Sequence, residues 1–233
     1  MIKKIKSSIF AKFVLSFLLI ILLFGIASYI EYHYTHKVIE IEEEIMEMQD
    51  FQLRLANLEI DHHLWMIGIY DMMAGGEAPQ LGDHTECNLG QWYYDITPQD
   101  YFKEPYKAME EPHTKLHSLG QEVVQLYQNG REEEAIQIFR KDVTPALNSV
   151  RENLGEMIAL TETEIENMKA EKNDLQQFSD RIFIGATIIT LLLSALIAYI
   201  LTRTTVGPIN SLVEQAKEVA GGNLKNKVKS NKT

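Results

Sequence analysis

The stretch FQLRLANLEIDHHLWMIGIYDM, residues 51–72, decides how this chain folds. Phe51, Leu55, Leu58, His62, Trp65, Ile69 and Met72 recur at alternating steps of four and three, which is the apolar seam of a helix packed in a bundle. His62 is the only polar member of that seam. Upstream the helix reads back without a breaker to Thr35, and downstream Gly75, Gly76, Pro79 and Gly82 end it in an irregular connector. Cys87 follows, with CNLGQW expected on or just before a short irregular turn. A second helix is expected from about Pro98 to Gln128, its inner stripe carrying Phe102, Tyr106, Met109, His113, Leu116, Gly120, Val124 and Tyr127. Asn129 and Gly130 close it. A short helix over Arg131–Lys141 is followed by Thr144 and Pro145, which read as an N-cap and a first-turn proline. The last helix, through Val150, Leu154, Ile158, Ile165, Met168, Leu175 and Phe178, meets no breaker. The expected fold is all-α, an antiparallel four-helix bundle.

Both ends of this bundle lead into hydrocarbon. Residues 13–30, FVLSFLLIILLFGIASYI, and residues 182–201, IFIGATIITLLLSALIAYIL, carry no charge. At about 1.5 Å per residue such runs match a hydrocarbon core of about 30 Å, and both read as transmembrane helices. Lys3, Lys4 and Lys6 before the first run could also open a cleaved signal peptide. The run is long for that, no small-x-small site follows, and Tyr29, Tyr32 and Tyr34 suit an interfacial belt, so it is expected to stay as an anchor. Lysines before the first run, and Arg203 with five lysines after the second, place both ends in the cytoplasm by the positive-inside rule. The expected organisation is then a cytoplasmic N-terminus over 1–12, spans at 13–30 and 182–201, an extracytoplasmic bundle over 31–181, and a cytoplasmic segment over 202–233.

Residues 31–180 hold 31 of the 33 acidic residues and 11 of the 22 basic ones, a net charge of −20. That excess argues against nucleic acid or an anionic membrane surface as partner. The single cysteine, Cys87, has no partner within the chain and reads as an intermolecular bridge, a free thiol or a metal ligand.

Three pieces of sequence converge on the last possibility. They are His62 in DHHLW, Cys87 in CNLGQW, and His113 with His117 in EPHTKLH. Four positions apart on a helix, His113 and His117 project from one face about 5–6 Å apart. Imidazoles with a thiolate suit a closed tetrahedral zinc site and disfavour magnesium or calcium, with copper a competitor on affinity alone. Taken singly each piece is weak, since seam histidines are usually core residues and buried cysteines fill space. His63 is turned about 100° off the inner face. His84 could substitute as a ligand from the connector, and Asp61, Glu110 and Glu111 could orient the imidazoles from outside.

The ordered pattern H-x-x-W, C-x-L-G-x-W, H-x-x-x-H resembles the chemoreceptor zinc-binding domain, or CZB domain, over roughly Glu59 to Leu154. The resemblance implies that His62, Cys87, His113 and His117 are the ligands of one Zn2+. It also implies a part in bacterial receptors of the methyl-accepting chemotaxis type, or in control of diguanylate cyclases, sensing zinc or oxidants such as hypochlorous acid. After the second span, TRTTVGPINSLVEQAKEVAGGNLKNKV resembles the first helix and connector of a HAMP relay domain, and the sequence ends before the second helix that such a domain needs. Homodimerisation follows from that second resemblance, because such relays are parallel bundles of two chains. Cytoplasmic signalling partners are expected only if an output domain follows Thr233. A closed site, with no HExxH, nucleophile elbow or phosphate loop, gives no enzyme. The expectation is a two-pass receptor of the bacterial plasma (inner) membrane with an extracytoplasmic zinc-binding sensor; the rival is a zinc-binding membrane protein that passes no signal.

Overall fold

A computed structural model describes residues 9–222. The described chain is all-α: α1 (Ile9–Met73), α2 (Asn88–Asp95), α3 (Lys103–Gln128), α4 (Glu132–Ile138), α5 (Thr144–Leu201) and α6 (Gly207–Ala220). It divides into two units, one of residues Ile39–Lys172 and one of the segments up to Val38 and from Asn173.

In the unit Ile39–Lys172, helices α1, α2, α3 and α5 pack together around one core. Leu55, Leu58, Ile69 and Met72 of the α1 seam are buried against Leu89 and Trp92 of α2, Met109, Leu116 and Val123 of α3, and Leu147, Val150, Leu154 and Met157 of α5. Each such side chain contributes roughly 1.5–3 kcal/mol by leaving water.

The direction of the helices departs from the expected antiparallel order. Along α1 and α3, Phe51 stacks on Phe102, His62 meets His113, Trp65 meets His117 and the Tyr127 hydroxyl donates to the Met73 carbonyl at 3.1 Å. The two helices therefore rise in parallel. The connector between Met73 and Lys103 is long enough to bring the chain back to its starting level, whereas antiparallel neighbours need only a short loop. Helix α5 runs the other way, with Arg151 bonded to Glu59, Gln52 to the Ile158 carbonyl and Lys172 to Glu42.

Three local readings are refined. The segment from Asn88 is a helix rather than an irregular turn, capped by Cys87. The stop at Asn129 and Gly130 stands: Gly130 takes φ +75°, and Arg131 N–H closes on the Leu126 carbonyl at 2.9 Å. Thr144 is no N-cap. Its backbone is helical, and a π turn over Phe139–Val143 joins α4 to α5, with the Thr144 amide and hydroxyl both donating to the Phe139 carbonyl. Pro145, which lacks an N–H and would crowd the carbonyl four residues back, is accommodated by that wider turn. A second π turn, Thr202–Val206, stands likewise ahead of Pro208.

In the other unit the apolar runs face outward. Leu15, Phe17, Ile21 and Leu22 of α1 and Leu191 and Leu192 of α5 are exposed. Both helices are long and apolar enough to cross a membrane, with best-window mean hydropathies of 2.7 and 2.4. The lysines at positions 3, 4 and 6, and the end of the HAMP-like segment from Asn223, lie outside the described residues.

Candidate metal centre

Four side chains from three elements meet in the unit Ile39–Lys172. His62 stands on the inner face of α1, His113 and His117 lie one turn apart on the facing side of α3, and Cys87 is the N-cap of α2. The three imidazoles are 2–3 % exposed, and the thiol is half-buried. His62 Nε2 lies 3.1 Å from His113 Nε2, and Cys87 Sγ lies 3.2 Å from His113 Nε2 and 3.8 Å from His62 Nε2. One donor atom from each of the four falls within 4.8 Å of all the others. A tetrahedral zinc with bonds of about 2.0 Å to nitrogen and 2.3 Å to sulfur spaces its ligands about 3.3–3.6 Å apart.

The hydrogen bonds orient these donors inward. His62 Nδ1 donates to the Leu58 carbonyl at 2.8 Å, and His117 Nδ1 donates to the Gly82 carbonyl at 3.0 Å. Each bond fixes the tautomer and leaves the Nε2 lone pair directed at the centre. His117 Nε2 is buried with no hydrogen-bond partner, a costly state for a polar atom unless a cation takes its lone pair. The residues fit zinc on that orphaned atom and on the chemistry of the donor set.

Electrostatics agree. Burial lowers the pKa of His62, His113 and His117, and the neighbouring imidazoles help bring His113 down to about 3. All three are neutral at pH 7, the form that binds metal. Burial pushes the Cys87 thiol up, while the Gly90 and Leu89 amides at the start of α2 pull against it; the Gly90 N–H reaches Sγ at 3.2 Å. A bound divalent cation removes the thiol proton outright.

The packing around the site explains neighbouring letters of the motif. A Cβ on Gly90 would stand 1.9 Å from the His84 carbonyl oxygen, so only glycine lets the connector fold back over the cap. A Cβ on Gly120 would stand 2.2 Å from the Trp65 ring, which lies 5.2 Å from the His117 ring and covers the site. Asn88 donates to Asp61 at 2.7 Å and ties the start of α2 to α1. Trp92 is a core aromatic between Phe51 and Tyr106.

The remaining sequence candidates fall outside. His63 is partly exposed and turned toward Glu59 at 4.0 Å. His84 is paired with Asp83 at 3.1 Å; its ring centre is 6.1 Å from that of His113, and it is not among the converging donors. The acceptors seen on the outer nitrogens of His62 and His117 are carbonyls, not carboxylates: Asp61 holds Asn88, and Glu110 lies by the tyrosines, where with burial it pushes Tyr93 up to about 12. Carbonyl acceptors have no side-chain signature, and Gly82 showed in the sequence only as a breaker.

A helical bundle clasped by three histidines and a cysteine is a metal-binding domain. Residues 62–124 match the family model of the chemoreceptor zinc-binding domain, a stretch that opens on His62 and takes in all four donors, and the cofactor of this site is zinc. No curated protein and no solved structure matches the chain.

Proposed function

We propose that this chain is a two-pass sensory receptor of the bacterial inner membrane, whose extracytoplasmic domain binds one Zn2+ through His62, Cys87, His113 and His117. Zinc level, or oxidation of the Cys87 sulfur, is its stimulus, and the HAMP-like segment is its relay. The observation that carries this reading is the origin of the donors in α1, the cap of α2 and α3: an ion bound there ties three elements together, so occupancy is linked to their packing. The family model matched by residues 62–124 is named for chemoreceptors. Membrane placement is supported by the two exposed apolar runs and the charge distribution. The relay is supported by α6, an amphipathic helix with Pro208 in its first turn. Four protein donors fill a tetrahedral shell and leave no position for a substrate water, so no catalytic role is assigned.

A second reading, a zinc-binding membrane protein in which the ion is purely structural, is favoured by the near-complete burial of the three imidazoles. Disulfide trapping between Leu192→Cys copies in membranes separates the two. A receptor shows a several-fold change in trapping rate between zinc and chelator; a rate indifferent to both leaves the ion structural.

A further inference from the structure

Away from the metal centre, α1 and α5 part over a cavity of about 650 Å3 that lies within the unit Ile39–Lys172. None of the four metal donors lines it, and Phe51 on its wall stands about three helical turns from His62 along α1. Residues 44, 47, 48, 51 and 54, at steps of three and four, turn one face of α1 toward the cavity. Glu164 and Met168 face it from α5, and Trp92 of α2 with the segment 96–102 closes its side.

The wall of this cavity is aromatic. Trp92, Phe51, Phe102 and Tyr101 follow one another in contact, their ring centres 6.1, 5.2 and 5.0 Å apart in that order. Trp92 and Phe102 are packed deep, while Phe51 and Tyr101 keep part of their surface uncovered. Ring faces carry negative potential. The rim is acidic: Glu44 and Glu47 are exposed, Glu164 is half-buried, and none of the three is in an ion pair among the described residues. Glu164 comes near enough to Tyr101 that its charge adds to burial in pushing up the tyrosine hydroxyl. Arg54, the one basic residue of the lining, stands about 10 Å along α1 from Glu47 and pairs with none of these carboxylates.

These walls select their occupant. A hard divalent cation needs oxygens converging on one point, and among the described residues the donors that converge so are those of His62, Cys87, His113 and His117. A primary ammonium is a compact, strongly hydrated charge and gains little from rings. An alkylated ammonium spreads its charge under an apolar skin, which suits aromatic faces and the side chains of Met48 and Met168, while dispersed carboxylates answer the charge. The acidity of the whole unit draws cations toward it. We propose that the cavity between α1 and α5 binds an alkylated ammonium solute, its head against Phe51 and Tyr101 and beside Glu44, Glu47 and Glu164. The site rests on its own walls and not on the zinc or receptor reading.

The test titrates choline into the full, zinc-loaded chain in nanodiscs of phosphatidylethanolamine and phosphatidylglycerol, followed by calorimetry. Its uncharged isostere, in which carbon replaces the nitrogen, is titrated beside it. Choline should bind saturably and about ten-fold or more tighter than the isostere; no saturable heat, or equal affinity for the two, overturns the site. Glu44→Gln with Glu47→Gln should weaken choline several-fold, whereas Glu132→Gln with Glu133→Gln, exposed on α4, should leave it unchanged. Equal losses in the two pairs overturn the rim as the contact, since the effect is then the charge of the whole unit. Tyr101→Leu keeps apolar bulk and removes a ring face, and should weaken choline several-fold while helical circular dichroism stays as in the parent; undiminished binding overturns the aromatic wall. In phosphatidylcholine nanodiscs the affinity should be the same, and a several-fold loss there gives the cavity to the lipid head group and overturns the solute as occupant.

Discussion

His62 on α1 and His113 on α3 bring their Nε2 atoms to 3.1 Å, close to the spacing of two nitrogen ligands on one tetrahedral zinc. A sequence separation of 51 residues is closed at that one point. The contact is a consequence of parallel helices: the same offset joins Phe51 to Phe102 one and a half helical heptads below, so the site sits in a register that the core itself sets.

Removing a donor should empty the site without unfolding the bundle. His117→Ala is expected to weaken zinc binding by more than the ~10–100-fold typical of losing an outer partner, read by chelator competition. Helical circular dichroism should change little, because the seam through Leu55, Ile69, Met109 and Leu154 remains.

Gly90→Ala should destabilise, although alanine ordinarily improves a helix by roughly 0.5–1 kcal/mol. The new methyl meets the His84 carbonyl, and overpacking against backbone costs about 1–3 kcal/mol. Zinc affinity should fall with thermal stability, since the same shift moves Cys87. A higher melting temperature would show that the connector is not held against α2.

Trp65 reports on the site and on Gly120 together. Its fluorescence should change on zinc binding, as its ring lies 5.2 Å from that of His117. Gly120→Ala should cost about 1–3 kcal/mol by crowding that ring, and the cost should largely vanish beside Trp65→Leu. A double-mutant cycle measures the coupling; strict additivity would mean that the two do not touch.

Acid should weaken the fold of metal-stripped protein. Burial lowers the pKa of His62, His113 and His117, His113 to about 3. The unfolded chain therefore binds protons first as pH falls from about 6.5. Stability is full above that value and declines as pH drops toward the folded pKa values. Urea titrations between pH 7.5 and 4.5 should show the midpoint falling with pH, and His62→Phe should flatten the slope. Zinc affinity falls over the same window, because protons compete for the same lone pairs.

Much of this site was legible beforehand because it is written in periodicity. The seam from Phe51 to Met72 placed His62 inward, and the spacing of His113 and His117 put them on one face. Helix α2 was harder to see. NLGQWYYD is short and contains a glycine, and its helicity depends on a cap and on burial of Trp92 rather than on propensity. The parallel course of α1 and α3 was hidden in the connector, whose path is set by tertiary contacts such as Gly82 to His117. Thr144 and Pro145 spelled a helix start, but proline after a π turn has the same letters.

The N-cap of α2 carries one more consequence. Eight residues cannot sustain a helix alone in water, and the sulfur that accepts the Gly90 amide in the first turn of α2 is also the one aimed at the ion. A thiolate held by a cation and a neutral thiol are different acceptors, so the ion's departure alters the cap as well as the clasp. Leu89, Trp92 and Tyr93 belong to both α2 and the core. The clasp and the winding of α2 therefore share one atom, the Cys87 sulfur, and a change in what that sulfur binds is felt by both.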